Sequence, residues 1–141
     1  IFCAMTFSGS IESTGLLRTI AEPIVKYAQN TGSLIATTAS TCIFFNITTS
    51  DQYMSIVVPG RMFADTYKEK GLAPENLSRT LEDSGTVTSV LIPWNSCGAT
   101  QSAVLGVATL AYLPFCFFNI LSPLMTIAYG YLGIKIKKLD K

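Results

Sequence analysis

Residues 84–134 read SGTVTSVLIPWNSCGATQSAVLGVATLAYLPFCFFNILSPLMTIAYGYLGI and carry no formal charge. At about 1.5 Å of rise per residue, such a run gives roughly 76 Å of helix. That length is enough for two crossings of an about 30 Å hydrocarbon core with a turn between them. Pro114 is the expected turn, and the second crossing is a closing helix over residues 115–134.

The first crossing, over residues 86 to about 113, contains many polar and helix-breaking residues, including Pro93 and Gly98. Lipid cannot satisfy polar side chains or the backbone groups that a break sets free, so we expect them to face protein or a water-filled cavity. The pattern therefore predicts a broken crossing, interrupted at residues 93–98, of the kind that lines a transport site.

The composition agrees with a membrane location. The 141 residues are 49% hydrophobic and 13% charged, whereas an ordinary soluble domain has about 25% charged residues. These values predict an integral membrane protein in contact with the lipid bilayer. Together with the polar breaks, the expected fold is all-α with broken or re-entrant segments. The net charge of +1 gives no basic surface for nucleic acid. Because the chain begins with Ile1 inside an apolar stretch, we interpret residues 1–141 as a membrane fragment of a longer protein.

Enzymatic and metal chemistry are not expected. The sequence has no histidine, and its four cysteines show no CxxC or similar ligand spacing. It also has no nucleophile–base pair and no glycine-rich phosphate loop. We therefore predict neither an enzyme nor a bound cofactor.

A second apolar region, residues 33–58, surrounds a polar centre that contains Asp51. Two short apolar halves around a polar centre indicate a discontinuous helix or a re-entrant hairpin, which we expect to end at Pro59 and Gly60. A charge within the bilayer costs roughly 2.5–3.5 kcal/mol, so acids there usually serve transport. Away from water a carboxylate binds protons more readily, so Asp51 can exchange H⁺ for a cation. Alternatively, Asp51 caps a helix that begins at Gln52.

Further candidate ligands surround this acid and the break at residues 93–98. Neutral oxygens, which a hard cation such as Na⁺ prefers, are available from Asn46, Thr48, Thr49 and Ser50 beside Asp51 and from Asn95 and Ser96 in the break. Glu12, among small and hydroxyl residues, is either a second acid of the ion pathway or part of an interfacial turn. The break itself is either a ligand site or a structural kink. Glu82 and Asp83 are expected as loop or cap residues.

Charge placement predicts the topology. Lys135, Lys137, Lys138 and Lys141 follow the closing helix, and the positive-inside rule places them in the cytoplasm. Two crossings earlier, the polar loop of about residues 61–84 is then cytoplasmic as well. Within it, Pro74 is expected to start a short helix with Leu77 and Leu81 on one face. The side on which residues 12–29 lie is left open by the sequence.

A weak internal sequence repeat relates the two polar centres. A shift of 49 residues aligns the pattern Thr-x-x-Ser-x-x-Ile-x-aromatic-Asn, which ends at Asn46, with the same pattern ending at Asn95. Polar breaks at corresponding positions of two halves point to a midplane binding site. Five matches in apolar sequence also arise by chance.

Several long motifs carry a resemblance to a known family. They are GSIESTG (9–15), NITTSDQY (46–53), PGRMF (59–63), LSRTLEDSGT (77–86) and PWNSCG (93–98). The chain resembles the C-terminal portion of Na⁺/H⁺ antiporters of the NhaC type, a group that includes the malate/lactate antiporters within the ion-transporter superfamily.

The resemblance implies a multi-pass inner-membrane antiporter of inverted-repeat architecture that exchanges Na⁺ for H⁺. The alternative is a malate/lactate exchanger coupled to Na⁺ and H⁺, and a remote one is a membrane scaffold that transports nothing. The resemblance also implies that a missing N-terminal half supplies the partner part of the site.

Overall fold

The computed structural model describes residues 30–49 and 51–139, most of which are helical. The helices are α1 (Thr31–Thr48), α2 (Gln52–Glu69), α3 (Pro74–Leu81), α4 (Val87–Ser89), α5 (Ser96–Leu105), α6 (Thr109–Tyr112) and α7 (Phe117–Leu132). A π-helical turn, Glu82–Thr86, joins α3 to α4, and a 3-10 turn, Leu113–Phe115, follows α6. The predicted all-helical architecture is therefore confirmed for the described part of the chain.

Helix α1 lies at the centre and packs against α2, α3, the π-helical turn and α7. Its Leu34 and Ile35 join Val58, Phe63 and Tyr67 of α2 in the buried apolar cluster. Helix α7 approaches α1 closely because Gly130 faces the side chain of Ile35, where a Cβ atom would come within 3.1 Å. The buried apolar cluster thus lies between α1, α2 and α3, and α7 packs on α1 beside it.

Helix α2 extends beyond the expected end at Pro59 and Gly60, and this expectation is wrong. Pro59 lies inside the helix, which continues to Glu69. An internal proline costs about 3 kcal/mol, whereas full burial of one large apolar side chain contributes about 1.5–3 kcal/mol. Phe63 and Tyr67, both essentially inaccessible to solvent, together offset the proline.

The region expected as a polar loop, residues 61–84, is also mostly helical. It consists of the second half of α2, a turn at Gly71, α3 and the start of the π-helical turn. Pro74 occupies the first turn of α3, as predicted, and Leu77 is buried in the core. The polar composition therefore reflects amphipathic helices that bury one face.

The predicted break and closing helix are confirmed, with shifted ends. Helix α5 begins at Ser96 after a non-helical stretch, and α7 lies within the expected range of residues 115–134. Pro114 lies in the 3-10 turn that precedes α7. A second interruption, at Gly106 in the left-handed region (φ 67°), was not predicted.

Within residues 30–49 and 51–139, no single helix is both long and apolar enough to cross a membrane. The segments Thr109–Phe115 and Phe117–Leu132 reach the required length and composition together, with a bend of 59° between them. Large apolar side chains of α7, such as Phe117, Phe118 and Leu124, are exposed on its outer face.

The segment after α7 returns to the turn between α2 and α3. The Leu139 amide donates to the Gly71 carbonyl at 2.8 Å, and the Ala73 amide donates to the Lys137 carbonyl at 3.1 Å. Asn76 adds two bonds, because its Nδ2 donates to the Lys137 carbonyl at 2.6 Å and its Oδ1 accepts from the Lys137 amide at 3.2 Å. The lysine-rich tail therefore lies against the polar turn.

Candidate functional site where two helix ends meet

The site is organised around Asn46, which lies near the C-terminal end of α1 and is fully buried. Its Nδ2 donates to the Gly85 carbonyl at 2.6 Å and to Thr88 Oγ1 at 3.0 Å. Both acceptors belong to the segment formed by the π-helical turn and α4. The amide therefore joins the end of α1 to that segment within the protein interior.

Asn95 reaches the same place from the break before α5. Its Oδ1 accepts from the Cys97 amide at 3.1 Å and so caps α5. Its Nδ2 donates to both the backbone oxygen and Oδ1 of Asn46, each at 3.3 Å. The neighbouring Trp94 donates from Nε1 to the Ile47 carbonyl at 2.8 Å. The break therefore holds the end of α1 through two consecutive side chains.

The break is compact because Gly98 packs directly on the backbone. A Cβ atom at this position would collide with the carbonyl oxygen of Ile92. The first turn of α5 therefore packs directly against the non-helical segment that precedes it.

Buried hydroxyls line the helical segment opposite Asn46. Ser84, Thr88 and Ser89 are all buried. Ser84 Oγ donates to the Thr80 carbonyl, and Thr88 Oγ1 donates to the Ser84 carbonyl. A hydroxyl that donates to backbone keeps its oxygen lone pairs, and Thr88 uses one of them to accept from Asn46. π-helical turns of this kind occur frequently at functional sites.

Asp51 lies at the start of α2, on the turn that follows α1. Its Oδ1 accepts from the Tyr53 amide at 3.2 Å, which makes Asp51 the N-cap of α2, and the residue is half-buried. This contact is the one that the capping hypothesis predicts. A carboxylate has a second oxygen and further lone pairs, so capping leaves acceptor capacity for another partner.

The remaining predicted residues are distributed around this turn. Thr48 Oγ1 donates to the Phe44 carbonyl at 2.9 Å and Thr49 Oγ1 to the Phe45 carbonyl at 2.7 Å, so both hydroxyls bond back to α1. Ser96 is exposed at the start of α5. Ser50 and Glu12 lie outside the described residues. Within the predicted set, Asn95 donates to Asn46, and Thr49 Oγ1 lies 3.3 Å from the Asp51 backbone carbonyl, to which it can also donate.

A contact that the sequence did not suggest joins the two parts. Cys97 Sγ donates to Gln52 Oε1 at 2.6 Å, so the beginning of α5 touches the beginning of α2, next to Asp51. The Gln52 side-chain amide therefore connects the turn at Asp51 to the break.

The arrangement can present several oxygens to a hard cation. Amide, hydroxyl and carbonyl oxygens from two helix ends meet within a few residues of one carboxylate, and such oxygens suit hard cations. Within residues 30–49 and 51–139, no group of three or more histidine, cysteine or acidic side chains is placed to hold a resident metal ion.

A sequence model of the Na⁺/H⁺ antiporter family matches residues 1–134. The chain belongs to this family. It is 44% identical over 138 residues to the Na⁺/H⁺ antiporter NhaC of Alkalihalophilus pseudofirmus and 42% identical over 140 residues to the arginine/ornithine antiporter ArcD of Halobacterium salinarum. It is 31% identical over 133 residues to the malate-2H⁺/Na⁺-lactate antiporter of Bacillus subtilis.

These three alignments cover 98%, 99% and 94% of the chain, but 30%, 29% and 28% of the respective relatives. The chain thus spans less than a third of the length of these antiporters. No solved structure matches it. Membership in the Na⁺/H⁺ antiporter family confirms the resemblance that the motifs carry.

The position of Asp83 corrects the expectation of a loop or cap residue. Asp83 lies in the π-helical turn, two residues before the Gly85 carbonyl that binds Asn46. Its carboxylate accepts from Ser122 Oγ at 3.3 Å and from Thr126 Oγ1. Both donors belong to α7. A sequence signal existed in the helical spacing of the polar residues Asn119, Ser122 and Thr126 on a largely apolar helix.

Proposed function

We propose that this chain is part of a secondary antiporter that exchanges Na⁺ for H⁺ across the cell membrane by alternating access. The observation that carries the proposal is the contact between Asn95 in the helix break and Asn46 at the end of α1. Transporters of this kind bind their ions where helices are interrupted, because unwound backbone and nearby side chains supply oxygens there.

Asp51 is the acid proposed to alternate between protonated and Na⁺-bound states. Asn46, Thr48, Thr49 and Ser50 supply neutral oxygens from the preceding turn, and Asn95 and Ser96 supply them from the break. Glu12 is proposed as a second acid of the pathway. The contact between Cys97 and Gln52 supports this grouping, because it joins the Asp51 turn to the break. The cycle needs no bound cofactor.

The proposed architecture is an inverted repeat with broken helices, completed by the N-terminal part of the protein. The inverted repeat is supported by the contact between Asn46 and Asn95, because these residues end the two copies of the repeated sequence pattern. The C-terminal tail and residues 61–84 are proposed to lie on the cytoplasmic side. Their placement on one side is supported by the bonds between Lys137 and Asn76.

An organic-acid exchanger coupled to Na⁺ and H⁺ is the second candidate. It is favoured by the 31% identity to the malate-2H⁺/Na⁺-lactate antiporter. The 42% identity to an arginine/ornithine antiporter shows that this part of the sequence also occurs in a relative named for organic substrates.

The deciding experiment uses the full-length protein in everted membrane vesicles with a pH-sensitive dye. Addition of Na⁺ to energised vesicles should release protons from the lumen, whereas choline should not. Proton release that requires malate or lactate in addition to Na⁺ would favour the exchanger. Absence of any Na⁺-linked proton movement, with the protein present in the membrane, would refute Na⁺/H⁺ antiport.

A further inference from the structure

The Asp83 carboxylate lies against the middle of α7, away from the chain ends of that helix. Its two oxygens accept hydrogen bonds from Ser122 Oγ and Thr126 Oγ1, which are the sixth and tenth residues of α7. Thr126 is buried, with 6% of its surface exposed. The half-buried carboxylate thus lies between the π-helical turn and a helix of the candidate bent membrane span.

The face of α7 that meets Asp83 is polar along three consecutive contacts. Asn119 Nδ2 donates to the Val87 carbonyl at 2.7 Å, and Ser122 and Thr126 follow at helical spacing. Residues three and four apart lie on one face of a helix. Beside this polar face, α7 exposes large apolar side chains, including Phe118, Leu121 and Met125. An apolar helix with one polar face toward an acid has the composition of a pathway lining.

The same π-helical turn carries another hydroxyl, that of Thr86, three residues after Asp83. Thr86 Oγ1 is buried and has no hydrogen-bond partner among the described residues. Buried hydroxyls without a partner are rare, because leaving one unsatisfied costs free energy. The same turn therefore holds both a carboxylate bound to hydroxyls and a hydroxyl with unused bonding capacity.

We propose that Asp83, Ser122 and Thr126 form a Na⁺-binding site, with the Asp83 carboxylate as its anionic ligand. The site deepens the proposed antiport function and rests on it. Hydroxyl oxygens keep two lone pairs while they donate, so Ser122 and Thr126 can turn those lone pairs to a cation that sits on Asp83. Na⁺ neutralises the carboxylate there, which lowers the cost of holding a charge beside an apolar helix.

The site adjoins the Asn46–Asn95 contact. Asp83 contacts α7, and the Gly85 carbonyl two residues later contacts Asn46. The π-helical turn thus contacts α7 through Asp83 and the end of α1 through Gly85, and Asn46 in turn accepts from Asn95 of the break.

The test measures Na⁺-specific stabilisation of the purified full-length protein. Thermal unfolding midpoints are compared in NaCl and in choline chloride at equal concentration, because a cation that binds the folded state stabilises it. Asp83→Asn and Thr126→Val should raise the Na⁺ concentration for half-maximal stabilisation by about tenfold or more, the factor that corresponds to about 1.4 kcal/mol of binding free energy. Thr126→Ser keeps the hydroxyl and should retain most of the wild-type response.

Glu82→Gln is the matched control. It removes the same charge from the neighbouring residue of the same turn, but Glu82 is exposed, so the Na⁺ response should remain at the wild-type value. A response in Asp83→Asn and Thr126→Val equal to that of Glu82→Gln would overturn the site. If Asp83→Asn fails to fold, the pair Thr126→Val and Thr126→Ser decides in the same way.

The failure of this site and the failure of the proposed function are distinguishable. Vesicles that contain the wild-type protein report Na⁺-linked proton release, which tests antiport alone. If the vesicles show Na⁺/H⁺ exchange but stabilisation by Na⁺ does not depend on Asp83, the Asp83 site is refuted and antiport is retained. If stabilisation by Na⁺ depends on Asp83 but the vesicles show no proton exchange, the site is retained and antiport is refuted.

Discussion

Asn95 donates from one side-chain nitrogen to both the backbone oxygen and the side-chain oxygen of Asn46, each at 3.3 Å. The two residues are separated by 49 positions, the same interval that aligns the two polar patterns of the sequence. Buried amides that bond to each other specify one arrangement of the elements that carry them. The end of α1 and the start of α5 are therefore fixed relative to each other by two residues that are also proposed as ligands of the transported ion.

The capping and bridging roles of Asn95 can be separated by two substitutions. Asn95→Ser keeps an N-cap oxygen for α5 but is too short to donate to Asn46, whereas Asn95→Leu removes both bonds. Loss of a cap costs about 1 kcal/mol, so Asn95→Leu should unfold more readily than Asn95→Ser. If the bridge to Asn46 shapes the ion site, both variants should lower the apparent affinity for Na⁺ in vesicle exchange. Wild-type exchange kinetics in both would favour a structural kink.

The contact between the tail and the α2–α3 turn predicts a difference between two adjacent residues. Asn76→Ala removes both bonds to Lys137 and should destabilise the tail by about 1–3 kcal/mol, the cost of leaving buried polar groups unpaired. Glu75→Gln breaks only the ion pair with Lys137, whose side chains are 65% and 70% exposed, and such surface pairs contribute little. Amide hydrogen exchange at Ala73 and Leu139 should quicken in Asn76→Ala and stay unchanged in Glu75→Gln. Equal amide hydrogen-exchange rates in both variants would show that the bonds between Asn76 and Lys137 do not hold the tail.

Single cysteines at Lys70 and Lys138, in a background without the native cysteines, test the proposed topology. Both should react with a membrane-impermeant thiol reagent only from the cytoplasmic side, because positively charged segments stay inside. The contact between the tail and the turn at Gly71 requires that both sites react from one side. Labelling from opposite sides would refute the two-crossing interpretation of residues 86–134.

Local patterns predicted the parts of the fold that local chemistry controls. Pro74 begins α3 and Pro114 lies in the turn before α7, because proline fixes φ and lacks an amide hydrogen wherever it occurs. The same rule failed at Pro59. There, burial of Phe63 and Tyr67 against α1 keeps α2 intact, and that burial depends on partners distant in sequence.

The candidate site was predictable as a set of residues and not as a set of contacts. Asn46 and Asn95 were identified from their polar surroundings, but their hydrogen bonds cross 49 residues. Asp83 was missed because it directly precedes the charge-free run, where an acid resembles a solvent-exposed cap. Its partners, Ser122 and Thr126, are 39 and 43 residues away and come to it only through the packing of α7 on the π-helical turn.

Substitution of Asp51 separates ion exchange from capping most directly. Asp51→Asn keeps the size and an oxygen that can accept from the Tyr53 amide, and asparagine is about as good an N-cap as aspartate. The free energy of unfolding should therefore change little. The substitution removes the negative charge and the exchangeable proton, so Na⁺/H⁺ exchange by the full-length protein in vesicles should fall to background.

Asp51→Glu is the matching conservative change, because it retains the carboxylate but moves it by one methylene. Exchange should be weak but measurable, with a shifted dependence on pH. Asp51→Ala supplies the control for capping, since it removes the bond to Tyr53 and should destabilise α2 by about 1 kcal/mol. Near-normal exchange in Asp51→Asn, together with destabilisation in Asp51→Ala, would restrict Asp51 to its cap. The proposed exchange of Na⁺ and H⁺ would then require a different carboxylate.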